Sequence, residues 1–521
     1  MGAVSQHALS RPLRALAVVA MAFGVACRWE PPRPVSPAQL LFIAPNGRGM
    51  QALEFAEAVR RGEPVGSEYD DSAFSRHLKR VLETVRSSSF DTIVVFVHGG
   101  LVDYQGGYDH AAELDSQWRA QGYLPLFVNW KAGPLSTMGS HLFRIRNGED
   151  DGPVLGALTS PLIVAEDAGR MLTHAPHNWL NQVGDWCRLL SRQTAGDPNA
   201  LVNYCAIPGL GRFAARAKQA DSLALAIAAA PAPDALSIRI NSYNPSDGQS
   251  VTKTVVGALT LLPRLVTGPI ITGFGEGPFA EMRRRTQTMF RRPDELEARP
   301  ASERGYRPSE GAAAQLFAGL ARVLADSQPE SCDPRAAKRC RSVILVGHSM
   351  GAIVLNRVLV EHPQLPVSRV YYLAAAASVN DVVGAIVPFM ERPAHHSTRV
   401  YFGLLHPYAE ASEWQPGYLD LVPRASLLEW IDHELTSPDT PLDRMAGKWR
   451  NLIRAQHLFP QTVRARISIK AFGVRDPQDR WNDFLFAHVD HHGAFADMSF
   501  PLFDPRTWRG SVAPLPAGDA R

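Results

Sequence analysis

The most constraining feature of the sequence is the stretch SVILVGHSMGAIVLNRVLVEH, which covers residues 342–362. Its first part, Val343–Val346, is an uninterrupted apolar run rich in β-branched residues, which is typical of a fully buried strand. After this run the apolar residues recur at helical spacing, so the chain passes from strand to helix within about four residues. Gly347 and Gly351 flank the bend, where larger side chains would crowd the turn. The pattern leaves Ser349 at the tip of a sharp strand–turn–helix unit.

A second buried strand is predicted upstream, in the stretch DTIVVFVHGGLVDYQGG. Thr92–Val97 forms its apolar run, and His98, Gly99 and Gly100 follow this run directly. A serine hydroxyl is a weak nucleophile that needs a general base, a group that orients the base, and donors for the oxyanion. A strand that is followed by two glycines can supply a backbone N–H group for the last of these roles.

Together the two motifs resemble the α/β-hydrolase superfamily, and its lipase and esterase branch most closely, over residues 91–130 and 341–500. The resemblance implies an α/β fold with a mostly parallel central sheet and helices on both faces. It also implies that the backbone N–H groups of Gly100 and Met350 stabilise the oxyanion beside the nucleophile. His98 would then brace its loop, and the resemblance implies no cofactor or metal ion.

The C-terminal region contains three more apolar runs that predict the last strands of the sheet. These runs are Ser368–Ser378, Thr398–Glu413 and Arg466–Asp476. In α/β-hydrolases the acid of the catalytic triad follows the nucleophile along the chain, and the histidine comes last. We therefore expect the acid and the histidine in the loops after the final two strands.

The last of these loops, AHVDHHGAFADMSF, has three histidines within five residues. It resembles the terminal histidine loop of the superfamily, and His491 aligns best with the histidine that acts as the base. His492 is a close alternative, and His488 is a weaker one. A metal site is the competing interpretation of such a cluster, but no cysteine or paired carboxylate lies at ligand spacing.

The acid of the triad is expected after the penultimate strand, where the sequence offers glutamates. Glu410, three residues beyond Pro407, is the first choice, and Glu413 is the alternative in the same loop. Asp476, just past the last strand, is a further alternative. Either glutamate can instead be a solvated carboxylate at the start of a helix.

Far more chain separates His98 from Ser349 than the few strands and helices that usually lie between these two loops. We therefore assign residues 38–135 and 306–508 to the α/β-hydrolase core, and residues 136–305 to a large, mainly helical cap. In lipase-like hydrolases such a cap governs the access of substrate to the nucleophile.

Two segments of the cap bear on its function. Val255–Gly275 is nearly all apolar, but proline, glycine and one arginine interrupt it, so we expect a buried hairpin or an interface-seeking lid and not a membrane span. Glu281–Arg292 places five arginines beside Met289 and Phe290, a pattern that suits either an anionic membrane surface or a solvated helix face.

The N-terminus predicts export. Two arginines precede the apolar run Ala15–Ala26, which is too short to span a bilayer but fits a signal peptide over residues 1–27. The sequence FGVAC at its end resembles a bacterial lipoprotein processing site in which Cys27 is acylated, and ordinary cleavage nearby is the alternative. Residues 28–37 are then a stiff linker, and residues 509–521 a disordered tail.

The other four cysteines form an even set, and an oxidising compartment permits disulfides. Among the three possible connectivities we favour Cys332–Cys340 and Cys187–Cys205, which pair neighbours along the chain.

These features predict a lipase- or esterase-like enzyme that cleaves carboxylic esters of lipids or other hydrophobic compounds. Its localisation would be the bacterial periplasm or the outer membrane, with peripheral membrane contact through the lipid anchor and the cap. The formal net charge of +3 is too small to indicate a nucleic-acid partner. An acyltransferase that uses the same triad is one alternative, and a non-catalytic envelope binding protein of the same fold is another.

Overall fold

The structure is a computed structural model. It describes residues 35–50, 71–146, 149–150, 152–190, 237–239, 261–291, 310–325, 340–413, 426–436, 438–473, 489, 491–497 and 500–508.

Ten strands lie within this part of the chain. They are β1 (Leu40–Ile43), β2 (Thr92–Val97), β3 (Tyr123–Trp130), β4 (Ile145–Arg146), β5 (Glu149–Asp150), β6 (Ser237–Arg239), β7 (Ser342–His348), β8 (Val367–Leu373), β9 (Arg399–Leu405) and β10 (Ile467–Phe472).

The helices fall between and after these strands. They are α1 (Asp71–Ser87), α2 (Tyr104–Ala120), α3 (Pro134–Phe143), α4 (Gly152–Leu190), α5 (Leu261–Thr288), α6 (Ala312–Val323), α7 (Gly351–Glu361), α8 (Val379–Met390), α9 (Pro407–Ser412), α10 (Leu427–Trp430), α11 (Trp449–Ala455), α12 (Gln461–Arg464) and α13 (Pro505–Trp508). A π-helical turn, Ile431–Leu435, continues α10, and a 3₁₀ turn spans His492–Ala496.

Eight of the strands form one sheet in the order β1-β3-β2-β7-β8-β9-β10-β6, and every neighbouring pair is parallel. Seven of them form the body of the sheet, and the three-residue β6 extends one edge. The central strands are apolar and buried along almost their whole length, as expected for a sheet covered on both faces. The predicted α/β architecture with a mostly parallel sheet is therefore confirmed.

The order of the strands reverses direction at the centre of the sheet. From β2 the chain crosses through α2 to β3 on one side, whereas from β7 it crosses through α7 to β8 on the other side. Because such crossovers are right-handed, α2 and α7 lie on opposite faces. β2 and β7 are adjacent, so a crevice opens between the loops at their carboxyl ends, which is where open parallel sheets bind ligands.

Within the described residues between β3 and α6, the helices α3, α4 and α5 pack against one another, whereas β6 joins the main sheet beside β10. The hairpin predicted within Val255–Gly275 is wrong from residue 261 onward, because α5 continues as one helix through Pro269 and Pro278. Each proline removes only one helical hydrogen bond, and the long packing of α5 against α4 offsets that cost. Within the described residues, no helix is both long and apolar enough to cross a membrane.

The C-terminal end of α5 is fastened to the core. Arg285 is buried, and its guanidinium donates to the carbonyl of Lys131 at 2.6 Å and to the hydroxyl of Ser140 at 2.8 Å. Met289 and Phe290, which follow α5, are buried as well. These three residues belong to Glu281–Arg292, the segment for which the sequence suggests either a membrane surface or a solvated helix face. They pack on the protein instead of facing outward.

Candidate functional site

Ser349 occupies the turn between β7 and α7, and its φ of +51° places it in the left-handed region. Its backbone N–H donates to the carbonyl of Leu373 at 2.8 Å, and its own carbonyl accepts from the N–H of Ala376 at 2.9 Å. Both flanking glycines are required by close packing. A Cβ on Gly351 would clash with the carbonyl of Val97 at the end of β2, and one on Gly347 would clash with α7.

Backbone strain is concentrated at this edge of the sheet. Among the described residues other than glycine, only Leu101, Ser349 and Ala374 have positive φ, at 63°, 51° and 45°. The three residues follow β2, β7 and β8, which are neighbouring strands. Such conformations cost about 1–3 kcal/mol each and persist where the surrounding structure enforces them, often at functional sites.

The loop after β2 packs directly on the Ser349 turn. A Cβ added to Gly99 would lie 2.8 Å from the Cβ of Ser349, and one added to Gly100 would lie 2.5 Å from the sulfur of Met350. Among the described residues, neither the N–H of Gly100 nor that of Met350 has a hydrogen-bond acceptor. The structure thus brings the two predicted oxyanion donors to the serine with their N–H groups available.

Both ring nitrogens of His98 are engaged in hydrogen bonds. Its Nδ1 lies 2.8 Å from the carbonyl oxygen of Gly99, and its Nε2 accepts from the N–H of Trp130 at 3.1 Å. The ring also stacks on the indole of Trp130, with ring centroids 5.7 Å apart. Burial lowers the pKa of His98 to about 4, so the ring is neutral at pH 7. These contacts suit the bracing role that the sequence predicts for it.

The structure separates the two principal candidate histidines. His491 is exposed, whereas His492 is buried, and its ring lies 5.2 Å from the ring of His348, the residue before the serine. Nε2 of His348 lies 3.1 Å from the carbonyl oxygen of His492, so the terminal loop is joined to the nucleophile turn. His488 lies outside the described residues. The geometry therefore favours His492, the alternative candidate, over His491.

Burial is the main influence on the imidazole of His492. Together with the neighbouring rings of His348 and His491, burial lowers the pKa of His492 well below its usual value. The ring is therefore neutral at pH 7, as a general base must be before it accepts a proton.

The hydrogen bonds of a catalytic triad are not formed in this conformation. In the described part of the chain, the buried hydroxyl of Ser349 has no hydrogen-bond partner, and neither ring nitrogen of His492 has one. Such bonds often form only when substrate binds, so their absence does not disqualify the pair. A rotation of the His492 ring or a shift of its loop is needed before it can accept the serine proton.

Glu413 is the candidate acid that touches the histidine loop. Its Oε2 accepts a hydrogen bond from the backbone N–H of His492 at 3.3 Å. Asp476, the third candidate, lies outside the described residues. Of the acids named from the sequence, Glu413 is thus the one that the described structure brings to a candidate base.

Glu410, the first choice from the sequence, lies in a different environment. It is buried, one carboxyl oxygen has no hydrogen-bond partner in the described structure, and its side chain forms no bond there to a histidine. Burial and the nearby carboxylate of Glu429 raise the pKa of Glu410 well above its usual value. Burial thus favours the neutral form of Glu410, which cannot stabilise an imidazolium by its charge, so we move the acid role from Glu410 to Glu413.

The neighbours of Glu410 form a buried ionic cluster that the sequence analysis missed. The ammonium group of Lys448 lies 2.5 Å from a carboxylate oxygen of Glu429 and 3.0 Å from one of Asp432. Burial alone would lower the pKa of Lys448, but the two carboxylates raise it above the usual value. The only sequence signal was an isolated lysine beside apolar and aromatic residues, which is weak.

Met282 of α5 covers the oxyanion loop. Its sulfur lies 3.4 Å from the position that a Cβ on Gly100 would take, and its side chain is buried. Ser349 itself is only 1% exposed. The cap is therefore closed over the candidate site, and substrate can reach the serine only if α5 or a neighbouring loop moves.

The remaining predicted residues can be placed only in part. Cys340 is disulfide-bonded, but its predicted partner Cys332 lies outside the described residues, as do Cys205 and the predicted lipidation site Cys27. Cys187 lies in α4, where its side chain is not described.

No family model, curated protein or solved structure shows a significant match to this chain.

Proposed function

We propose that this protein is a serine hydrolase of the α/β-hydrolase fold that cleaves carboxylic esters. The observation that carries the proposal is the strained turn of Ser349 at the central crevice of the sheet. The N–H groups of Gly100 and Met350 are available beside it. A nucleophile at the tip of a strand–turn–helix unit, with backbone donors at its side, is the arrangement that acyl transfer requires.

In the proposed mechanism, Oγ of Ser349 attacks the ester carbonyl while His492 removes the hydroxyl proton. The N–H groups of Gly100 and Met350 stabilise the negative charge that develops on the carbonyl oxygen. His492 then returns the proton to the departing alcohol, and Glu413 stabilises the charged imidazole. Water completes the cycle by attacking the acyl-enzyme with the same histidine as base.

We further propose that the substrates are hydrophobic esters at a membrane surface. Large apolar side chains project from the cap into solvent along α4 and the first half of α5. They are Val154, Leu155, Leu158, Leu162, Leu172, Trp179, Leu262, Val266 and Ile270. Exposed apolar surface of this extent is typical of membrane or protein interaction sites, and the predicted export signal and lipid anchor suit a lipid surface.

Leu158 is 73% exposed and lies on this face of α4, which makes it suitable for testing membrane contact. We expect Leu158→Ser to weaken binding to lipid vesicles about tenfold, because a buried leucine contributes about 2 kcal/mol. Equal binding by wild type and Leu158→Ser in a co-sedimentation assay would contradict this face as the contact.

Hydrolysis of a soluble ester tests the activity itself. We expect turnover of p-nitrophenyl butyrate to fall by about 10⁵-fold or more in Ser349→Ala, because the nucleophile is lost. Ser368→Ala, which removes another partly buried hydroxyl of the same sheet, should retain activity. A Ser349→Ala variant that is folded and as active as wild type would exclude the proposal.

A further inference from the structure

A polar cavity of about 800 Å³ lies between the cap and the core. Helices α5, α7 and α8 and the segment 435–445 line it. Its size falls in the range of sites for small organic molecules. Ser349 does not line this cavity, although Ala376, whose N–H holds the Ser349 carbonyl, does. The cavity is therefore next to the nucleophile turn but distinct from it.

A buried amide faces this cavity with one group unsatisfied. Asn356 is 6% exposed, and its Oδ1 accepts a hydrogen bond from the hydroxyl of Tyr372 at 2.7 Å. Its Nδ2 has no partner among the described residues. Because a buried donor without an acceptor is destabilising, a ligand atom that accepts a hydrogen bond from this amide is favoured here.

The cavity carries charges of both signs. The wall formed by α5 and α7 carries Arg283, Arg357 and Glu276, and the wall formed by α8 and the segment 435–445 carries Asp381, Asp439 and Asp443. The side chain of Arg283 is exposed, and its guanidinium forms no ion pair or hydrogen bond within the described part of the chain. Among the described residues, the guanidinium of Arg357 pairs with Glu361 alone, at 3.3 Å on the helix surface. Two guanidinium groups of this kind are suited to an incoming anion.

A smaller cavity of about 380 Å³ continues the basic wall. It shares Arg357 and Gln287 with the larger cavity and is also lined by Arg284 and Arg291. Arg284 is paired with Glu281 at 2.6 Å and Glu361 also lines this cavity, so acidic side chains accompany its arginines.

We propose that the larger cavity binds an organic phosphate that also carries hydroxyl groups. The phosphate would lie between Arg283 and Arg357, with Nδ2 of Asn356 donating to one of its oxygens. A phosphate suits this site better than a carboxylate, because it has more oxygens and more charge for two guanidinium groups and an amide. The hydroxyl groups of the ligand would donate to the carboxylates of the opposite wall.

Glycerol phosphate has this chemistry, either as a free compound or as the headgroup of an anionic phospholipid. Binding of such a phosphate to this cavity does not require ester hydrolysis, so it can be measured independently of the activity of Ser349.

Calorimetric titration with sn-glycerol 3-phosphate tests the site. We expect Arg283→Gln to weaken binding about tenfold or more, since a hydrogen bond to a charged group contributes about 1.5–3 kcal/mol. Arg76→Gln removes an exposed arginine from α1 and should leave the Kd within about twofold of wild type, which is a change in binding free energy smaller than RT. Glycerol, which lacks the phosphate, should bind far more weakly.

Vesicles of phosphatidylcholine with and without phosphatidylglycerol separate the two sources of the phosphate. Loss of phosphatidylglycerol-dependent binding in Arg283→Gln would identify a lipid headgroup, whereas an effect on the soluble compound alone would identify a free ligand. The proposal is overturned if folded wild type binds neither form, or if Arg283→Gln binds both as wild type does.

Discussion

The two sides of the candidate site differ in how firmly the structure holds them. On the nucleophile side, Ser349 and the loop with Gly99 and Gly100 are in van der Waals contact, and close packing leaves them a single arrangement. On the acid–base side, the carbonyl oxygen of His492 lies 3.1 Å from Nε2 of His348, and in the described structure the ring nitrogens of His492 have no hydrogen-bond partner. The first side is preorganised for its chemistry, and the second must move to complete it.

This difference reflects the origin of each side in the chain. The nucleophile side comes from two adjacent parallel strands, so the register of the sheet alone brings its loops together. The acid–base side comes from the segments that follow β9 and β10, so the pairing of β2 with β7 does not position it. Mutation is therefore needed to decide which of its histidines and glutamates act in catalysis.

After the loss of Ser349 itself, the largest expected effect comes from the histidines. We expect His492→Ala to lower kcat/KM for ester hydrolysis by about 10⁴-fold or more, because it removes the proposed general base. The neighbouring variant His491→Ala should stay within about threefold of wild type, a change below 1 kcal/mol. The reverse result in steady-state kinetics would make His491 the base and would contradict the arrangement of the terminal loop described above.

The two glutamates give the next largest contrast. Glu413→Gln should lower kcat by about 10³–10⁴-fold, since the imidazolium loses the carboxylate that stabilises it. Glu410→Gln should leave kcat close to that of wild type, because burial raises the pKa of the Glu410 carboxyl and favours its neutral form. If Glu410→Gln proves the more damaging of the two, the acid belongs to the buried cluster and the sequence-based first choice stands.

A smaller effect is expected from crowding the nucleophile side. In Gly99→Ala the new methyl group would lie 2.8 Å from the Cβ of Ser349, so the serine must shift. A displacement of about 1 Å costs roughly 10²-fold in rate, which should appear in kcat. Gly139→Ala in α3 meets no atom within 4 Å and serves as the control. Unchanged kcat in Gly99→Ala would show that this side is less rigid than its packing indicates.

The smallest effect concerns stability and pH. Glu410 has a raised pKa when folded, so above about pH 4.5 the unfolded chain ionises this group while the folded protein keeps it neutral. This difference favours unfolding increasingly as pH rises toward the folded pKa. Glu410→Gln should therefore have a higher Tm than wild type at pH 8, with the gain shrinking toward pH 5. A lower Tm at pH 8 would mean that Glu410 is ionised and paired in the fold.

The parts of the fold that the sequence predicted best are those with strong local patterns. Thr92–Val97 and Tyr123–Trp130 were predicted as strands, and β2 and β3 have these bounds, because each is a buried run of apolar residues. The short β1 was not predicted, since four apolar residues after a proline-rich stretch fit several structures. The helix α5 was mistaken for a hairpin because packing against α4 overrides its proline and glycine residues.

In the candidate site, too, the sequence predicted the local motifs but not the contacts between segments that are separate in the chain. Gly-His-Ser-Met-Gly and His-Gly-Gly are local motifs, and the structure places them side by side. The choice between Glu410 and Glu413, three residues apart in the chain, depends on Glu429 and Lys448, which come from distant segments. No local pattern contains that information, because it arises only when the loops pack together.

Labelling with a fluorophosphonate probe tests the central claim, that Ser349 is an activated nucleophile, most directly. The protein starting after Cys27 would be treated with the probe in the presence of detergent, which favours opening of the cap, and the adduct located by mass spectrometry. The account predicts a single phosphonyl adduct on Ser349 that is absent from Ser349→Ala and strongly slowed in His492→Ala. A folded wild type that is not labelled, or is labelled on another serine, would contradict it.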